Sequence, residues 1–103
     1  MNAKDVIKKA WAYLQDPECW TKNTLARTED GSHCDILSRN VKSLCILGAL
    51  IKYAQTGDQV IDAINLLLPE AKGIWNLAAM NDSCKSHEEF IRLFEPLIME
   101  ATK

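Results

Sequence analysis

The first fifteen residues alternate apolar and polar positions with the period of a helix. In "AKDVIKKAWAYLQ", residues 3–15, the apolar side chains recur every three or four positions and the lysines fall between them. Asn2 can cap the start of this segment, and Asp16-Pro17 should end it, because proline disfavours α geometry in the residue before it. The pattern therefore predicts a first helix over residues 3–15.

A second helix is predicted where the chain becomes almost continuously apolar. "VKSLCILGALIKYA", residues 41–54, could be a buried strand by its apolar run alone, but its length and its leucine and alanine content favour a buried helix. Gly48 in its middle would be tolerated if another helix packs closely there. Thr56-Gly57 should end this helix with the glycine in a left-handed conformation, and Asp58 should cap the next.

Three more amphipathic segments complete the pattern of the second half. The third helix follows Asp58, the fourth spans residues 69–79 with Pro69 at its first position, and the fifth begins at Ser86. Pro96 should kink the fifth helix or end its regular part, because it removes a backbone hydrogen bond. The residues expected on the inner faces of these helices are Val60, Ile61, Ile64, Leu67, Leu68, Ile74, Trp75, Ala78, Phe90, Leu93, Phe94, Leu97 and Ile98.

Residues 17–40, here called the 17–40 segment, lack a sustained period. "NTLART" within it could form a short extended piece that leads to a turn at Asp30-Gly31, and we expect Trp20 and Leu25 to pin the segment to the core. Long irregular segments in compact domains are often functional. The predicted fold class is all-α: a single helical domain over residues 1–103, with about five helices and this irregular segment after helix 1.

Composition limits the classes of function without selecting one. The 103 residues are 48% hydrophobic and 25% charged with a formal net charge of −2, so nothing points to nucleic acid as a partner. No apolar run is long enough to cross a bilayer, and the N-terminus lacks the features of a secretory signal. The four cysteines show no disulfide-framework spacing. We therefore expect a cytoplasmic protein with reduced thiols and no metal, cofactor or membrane contact.

Several motifs together resemble a known family. They are "DPECWTKNTLAR" (16–27), "DG" (30–31), "LCILGAL" (44–50) and "MNDSCKSHEEF" (80–90). The chain resembles a family of small uncharacterised proteins of bacteria, notably actinobacteria, and of their bacteriophages. In that family a tryptophan usually precedes the Asn-Asp pair, and here Met80 stands at that position while Asn81 and Asp82 match. The resemblance implies a helical fold and brings no assigned activity.

The densest polar cluster, "MNDSCKSHEEF", is read mainly as a loop followed by a helix cap. Ser-x-x-Glu over residues 86–89 is a capping box, and Asn81-Asp82 suits the joint between two helices. In the functional alternative, Asp82 orients a base or contacts a ligand. Cys84-x-x-His87 has metal-ligand spacing, but a zinc site needs a second pair, and adjacent His33-Cys34 is poorly placed to supply it.

Two further features suggest chemistry. Cys45 near a helix start, with Asp82 and His87 later in the chain, supplies the residue types of a thiol hydrolase, although its apolar neighbours favour an inert thiol. Of the three tryptophans, Trp20 is the one expected to line a groove, with Arg27 available to meet an anionic or planar group.

These observations leave two hypotheses for the function. The first is a small non-catalytic module, of bacteriophage origin or a host accessory protein, that docks on another macromolecule, most simply a protein. The second is a small-ligand-binding protein or thiol-type hydrolase with a pocket near Trp20, Arg27, Cys45, Asp82 and His87. The residues predicted to bind are Trp20, Arg27, Asn81, Asp82 and His87. Charge reversal at Arg27 is expected to weaken binding with little loss of stability, and reversal at Lys8 to do much less.

Overall fold

Five helices and one two-stranded antiparallel sheet form the described part of the chain. The structure is a computed structural model that describes residues 2–69 and 74–103, and the predicted inward position of the Ile74 side chain lies outside this description. In chain order the elements are α1 (Ala3–Leu14), a 3₁₀ turn (Pro17–Cys19), β1 (Ala26–Thr28), β2 (Val41–Leu44), α2 (Ile46–Tyr53), α3 (Gly57–Leu67), α4 (Ile74–Ser83) and α5 (His87–Ala101). A mostly helical fold is confirmed, and the purely all-α class is wrong.

The first helix forms as its pattern predicts. Asn2 Oδ1 accepts from the Asp5 amide at 3.0 Å, and the Asp5 carboxylate accepts from the Asn2 amide at 3.3 Å, which completes a capping box. The helix buries Val6, Ile7 and Leu14. Asp16 then accepts from the Glu18 amide and so starts the 3₁₀ turn at the proline that ends the helix.

The apolar run at 41–54 is the largest departure from the sequence prediction. Its first four residues form β2, which pairs with β1 in the register Ala26↔Leu44 and Arg27↔Ser43, and only Ile46–Tyr53 is helical. The pairing partner lies in "NTLART", so the extended piece expected there is confirmed. A buried apolar run fits either a strand or a helix, and the available partner strand decides between them here.

The boundaries of α3 also differ from those predicted. Thr56, not Asp58, is the N-cap, because its hydroxyl accepts from the Gln59 amide at 3.2 Å. Gly57 is the first residue of α3, so the left-handed stop predicted there is wrong, and α2 ends at Tyr53 with Ala54 as its C-cap. Ile61, predicted to face inward, is 52% exposed, and Ala63 is buried in its place.

Helix α4 runs four residues further than predicted. Asn81 and Asp82 therefore lie in its last turn rather than in a joint between helices. The helix was predicted to begin at Pro69, but Pro69 is not helical and α4 begins at Ile74 among the described residues, with residues 70–73 outside them. Trp75 was predicted to be buried and is 83% exposed, because the inner face is formed by Leu77, Asn81 and the following Cys84.

The last helix packs mostly as predicted. Ser86 Oγ accepts from the Glu89 amide at 3.2 Å, which makes Ser86 the N-cap, and the helix continues through Pro96 to Ala101. Pro96 is exposed and does not end the helix. Phe90, Phe94 and Ile98 are buried, whereas Leu93 was predicted to face inward and is 39% exposed.

The core lies around α1, which packs against α2, α3 and α5, and α4 packs against α2 and α3. Its largest fully buried side chains include Phe90, Phe94, Ile7 and Leu50. Gly48 allows the backbone of residue 25 to approach α2: a Cβ at Gly48 would lie 2.3 Å from Leu25 O. Gly48 therefore serves a close loop contact and not the helix contact that we expected. Among the helices described, none is long and apolar enough to cross a membrane.

Candidate functional site

Asn81 is fully buried and makes four hydrogen bonds with its side chain. Its Oδ1 accepts from the Trp20 indole N–H at 2.9 Å and from the Ile46 amide at 3.0 Å. Its Nδ2 donates to the Thr21 carbonyl at 3.1 Å and to Asp82 Oδ1 at 3.2 Å. Both lone pairs and both protons of the amide are therefore used. The Asn81 side chain is a structural link between α4, the start of α2 and the 17–40 segment.

Residues 20–23, here called the strap, are held to the end of α4 by further contacts. Asp82 Oδ1 accepts from the Asn23 amide at 2.8 Å, and Lys22 Nζ donates to the Cys84 carbonyl at 2.9 Å. Asn23 has a φ of +67°, a left-handed geometry that asparagine tolerates better than most residues. The strap therefore turns sharply while its backbone and side chains bond the helix end.

Trp20 and His87 belong to an aromatic cluster beside the strap. The Trp20 ring stacks on Phe90 with centroids 5.0 Å apart, and the centroids of the Trp20 and His87 rings lie 6.0 Å apart in an edge-to-face arrangement. His87 Nε2 lies 2.7 Å from the Leu14 carbonyl, so the imidazole joins the end of α1 to the start of α5. Trp20 is confirmed as an anchor of the 17–40 segment. Leu25, the other expected anchor, is 38% exposed, and its carbonyl rather than its side chain is bound, by the Cys45 amide.

Arg27 is held by neutral acceptors within the same segment. Its Nε donates to Thr21 Oγ1 at 2.9 Å, Nη1 to the Gly31 carbonyl at 2.8 Å and Nη2 to the Lys22 carbonyl at 3.3 Å. The guanidinium therefore connects the strap to the turn after β1. This geometry gives Arg27 a structural role, because its donors bond oxygens within the 17–40 segment.

The predicted binding residues are thus brought together, but as internal contacts. Trp20, Asn81, Asp82 and His87 surround the strap, and Arg27 reaches it from β1. Their polar groups are used to fix the 17–40 segment on the helices. Of the five, Asp82 also lines an accessible surface.

That surface is an apolar depression of about 410 Å³ between α2, α4 and residues 23–25. Here it is called the Trp75 depression. It is lined by Asn23, Thr24, Leu25, Cys45, Leu47, Ile51, Trp75, Ala78 and Asp82. Trp75, Ala78 and Asp82 follow one face of α4 at helical spacing, and Leu47 and Ile51 face them from α2. Sequence reasoning missed this surface because it placed Trp75 in the core. A longer α4 offers Leu77, Asn81 and the following Cys84 as an alternative inner stripe. Choosing that stripe would have placed Trp75 on the outer face.

A model of a family of unknown function, DUF6197, matches residues 1–98. This chain belongs to that family. The expected resemblance to an uncharacterised family is therefore confirmed, and the match covers nearly the whole chain. Comparison with curated proteins and with solved structures gives no match.

Cys45 of this DUF6197 member does not have the surroundings of an activated thiol. It is the N-cap of α2, and its Sγ accepts from the Gly48 amide at 3.3 Å. Burial raises the pKa of the Cys45 thiol, and the nearby Asp82 carboxylate raises it further, against the lowering effect of the Gly48 and Leu47 amides. The thiol is therefore protonated at neutral pH, whereas a nucleophilic cysteine needs a lowered pKa.

The thiol-hydrolase arrangement also lacks a common site. Cys45 and Asp82 line the Trp75 depression, but Trp20, Arg27 and His87 are not among its lining residues. Cys84, the other buried thiol, donates to the Met80 carbonyl at 3.4 Å, and burial raises the pKa of its thiol as well. Within residues 2–69 and 74–103, no three His, Cys, Asp or Glu side chains are grouped so as to hold a metal ion.

Proposed function

We propose that this DUF6197 chain is a small non-catalytic module that docks on another protein through the Trp75 depression. The observation that carries this proposal is the 83% exposure of Trp75, a large aromatic side chain on the rim of an apolar depression. Tryptophan is enriched among the residues that dominate protein interfaces, because one side chain buries a large area at a small cost in conformational entropy.

The neighbours of Trp75 strengthen this proposal. Leu25 and Ile51 are both partly exposed on the same depression, so the apolar surface is continuous rather than a single side chain. Exposed apolar surface with a polar rim is typical of interaction sites. Asn23, Thr24 and Asp82 are the uncharged polar and charged residues in the lining of this depression.

The elements that form the depression are held together by hydrogen bonds, which favours docking on a preformed surface. Asn81 and Asp82 fix the strap to α4, and the Leu25 carbonyl accepts from the Cys45 amide at 3.1 Å. The three walls of the depression are therefore joined to one another by hydrogen bonds. A preformed surface loses less conformational entropy on binding than a flexible one.

The expected partner follows from the resemblance rather than from the geometry. The motifs resemble those of a family expected in bacteria and their bacteriophages, so we propose a host or phage protein in the cytoplasm as the partner. The volume of the depression also falls within the range of small-ligand pockets, about 300–1,000 Å³. A small apolar ligand is therefore the second candidate, and it would occupy the same surface.

The test compares two side chains that are equally exposed in different places. Leu37, in the 17–40 segment, is 83% exposed like Trp75, so Leu37→Ala and Trp75→Ala remove similarly solvated apolar groups. Both variants should keep the unfolding midpoint of the wild type. The wild type and both variants are immobilised and exposed to host lysate. Proteins retained by the wild type are then purified, and their affinities for the wild type and for each variant are measured directly.

The proposal expects a partner whose affinity is lost with Trp75→Ala and kept with Leu37→Ala. Equal binding by both variants would refute the depression as the docking surface. Loss with Leu37→Ala alone would place the docking surface around Leu37, outside the Trp75 depression.

A further inference from the structure

The charge balance of the Trp75 depression indicates the chemistry of its occupant. Among the described residues that line it, Asp82 carries the one formal charge, and the remaining lining is apolar or neutral. Cys45 adds no charge there, because its buried thiol stays protonated at neutral pH. Within residues 2–69 and 74–103, the lining of the depression is therefore apolar or neutral apart from one carboxylate.

Three basic side chains on the strap, α2 and β1 have partners other than Asp82. Lys22 Nζ donates to the Cys84 carbonyl, and Lys52 Nζ lies over the Tyr13 ring at 5.4 Å from its centroid. Arg27 donates to three neutral oxygens. No ion pair within residues 2–69 and 74–103 includes Asp82. Its carboxylate accepts from the Asn23 amide and the Asn81 side chain, and both of these donors are neutral.

The spacing of Trp75 and Asp82 sets the size of the occupant. They are seven residues apart on α4, which is two turns and about 10.5 Å along the helix axis. An extended segment covers that distance in about three residues. Fewer backbone residues are needed when a long lysine or arginine side chain covers part of it.

We infer that the Trp75 depression accepts a peptide segment of a partner protein in which a lysine or arginine lies close to an apolar side chain. This inference rests on the proposed docking function. The apolar side chain contacts Leu25, Leu47 and Ile51, and the basic head group reaches Asp82. The aliphatic stem of the basic residue can lie on the Trp75 ring, where a cation is also attracted by the π face. An acidic or phosphorylated segment would instead put like charge beside Asp82.

The experiment uses a displayed library of random peptides selected against the full chain. The most enriched sequence is synthesised together with a neutral analogue in which its basic residue is replaced by glutamine. Both peptides are titrated against the wild type, Trp75→Ala, Asp82→Asn and the control Leu37→Ala. Asp82→Asn keeps a side-chain oxygen that can accept from the Asn23 amide, so it removes the charge with the least change of structure.

The inference expects enriched peptides with a basic residue close to an aromatic or branched apolar one. Asp82→Asn should lower the affinity for the basic peptide by about fivefold, which is the upper range for a partly exposed ion pair. The same change should leave the affinity for the neutral analogue unaltered. Added salt should lower the affinity for the basic peptide alone. If Asp82→Asn proves unstable, the comparison of the two peptides on the wild type decides the question by itself.

Other outcomes separate this inference from the proposed function. The library could instead enrich apolar peptides that have no basic residue, bind the wild type and do not bind Trp75→Ala. That result would refute the inference of a basic segment but would still support the docking function. Failure to enrich any peptide whose binding depends on Trp75 would overturn both. Concentration-dependent self-association that Trp75→Ala abolishes would identify a second copy of the chain as the occupant and refute the basic segment.

Discussion

The Trp20 indole N–H donates to the side-chain oxygen of Asn81 at 2.9 Å, across 61 positions of the sequence. This bond joins the irregular 17–40 segment to the last turn of α4. The same oxygen accepts from the Ile46 amide at the start of α2, so one amide group sets the positions of three parts of the chain. The strap and one wall of the Trp75 depression therefore depend on Asn81.

Asn81→Ala should lower the free energy of unfolding by about 2–4 kcal/mol. The substitution removes four hydrogen bonds and leaves the Ile46 amide buried without its acceptor. Denaturant unfolding of the purified protein measures the loss. Asn65→Ala, at an exposed position of α3, is the matched control and should change the free energy by less than about 0.5 kcal/mol. Similar values for the two variants would show that the buried amide is not a structural link.

Arg27→Ala should lower the free energy of unfolding by about 1–2 kcal/mol. The sequence alone suggested that Arg27 could be changed with little loss of stability, but its three donors hold the strap and the turn at Gly31. Lys8→Ala, on the exposed face of α1, is the control and should have little effect. An Arg27 variant with the stability of the wild type would restore the original interpretation of Arg27 as a free surface residue.

Gly48→Ala should destabilise the protein by about 1–3 kcal/mol, although alanine is the better helix former. The added Cβ would lie 2.3 Å from Leu25 O, and that carbonyl is already held by the Cys45 amide. Gly57→Ala is the control, because a Cβ there meets nothing within 4 Å. Its unfolding midpoint should stay the same or rise slightly. A stabilised Gly48→Ala variant would rule out the close contact with residue 25.

Cys45 and Cys84 should react slowly with iodoacetamide in the native protein, and Cys19 and Cys34 faster. The first two are buried with raised thiol pKa values, whereas the other two are half-buried. Mass spectrometry of peptides after timed alkylation gives the four rates, and unfolding should make all four cysteines reactive. Rapid modification of Cys45 at neutral pH would instead revive the thiol-hydrolase hypothesis.

Stability should fall between about pH 10 and 12 partly because of Tyr13. Burial, with a smaller effect of the neighbouring Cys19, raises the pKa of Tyr13 from 10.0 to about 12. The folded chain therefore keeps this proton where the unfolded chain releases it, so the free energy of unfolding decreases as pH rises through this interval. Tyr13→Phe loses the hydrogen bond to the Lys42 carbonyl but should show a shallower decrease. Equal slopes in the two unfolding series would contradict the raised pKa.

Local sequence determined the elements whose signals lie within a few residues. The capping box at Asn2 and Asp5, the stop at Pro17 and the cap at Ser86 were predictable because each is a contact between near neighbours in the chain. The inner face of α5 was predictable for most of its length, since Phe90, Phe94 and Ile98 repeat at intervals of four. Trp20 could be predicted as an anchor because a large aromatic in an irregular segment has few other ways to be buried.

Tertiary structure decided what the local pattern leaves open. Residues 41–44 became a strand because residues 26–28 were available to pair with them, and an apolar run does not encode that partner. Trp75 is exposed because the longer α4 buries Leu77 and Asn81 instead, so its inner face is rotated relative to the shorter helix predicted from the sequence. The candidate site depends on the same long-range contacts. Asn81 and Asp82 look like loop residues in the sequence, and only their bonds to Trp20 and Asn23 fix where the walls of the depression meet.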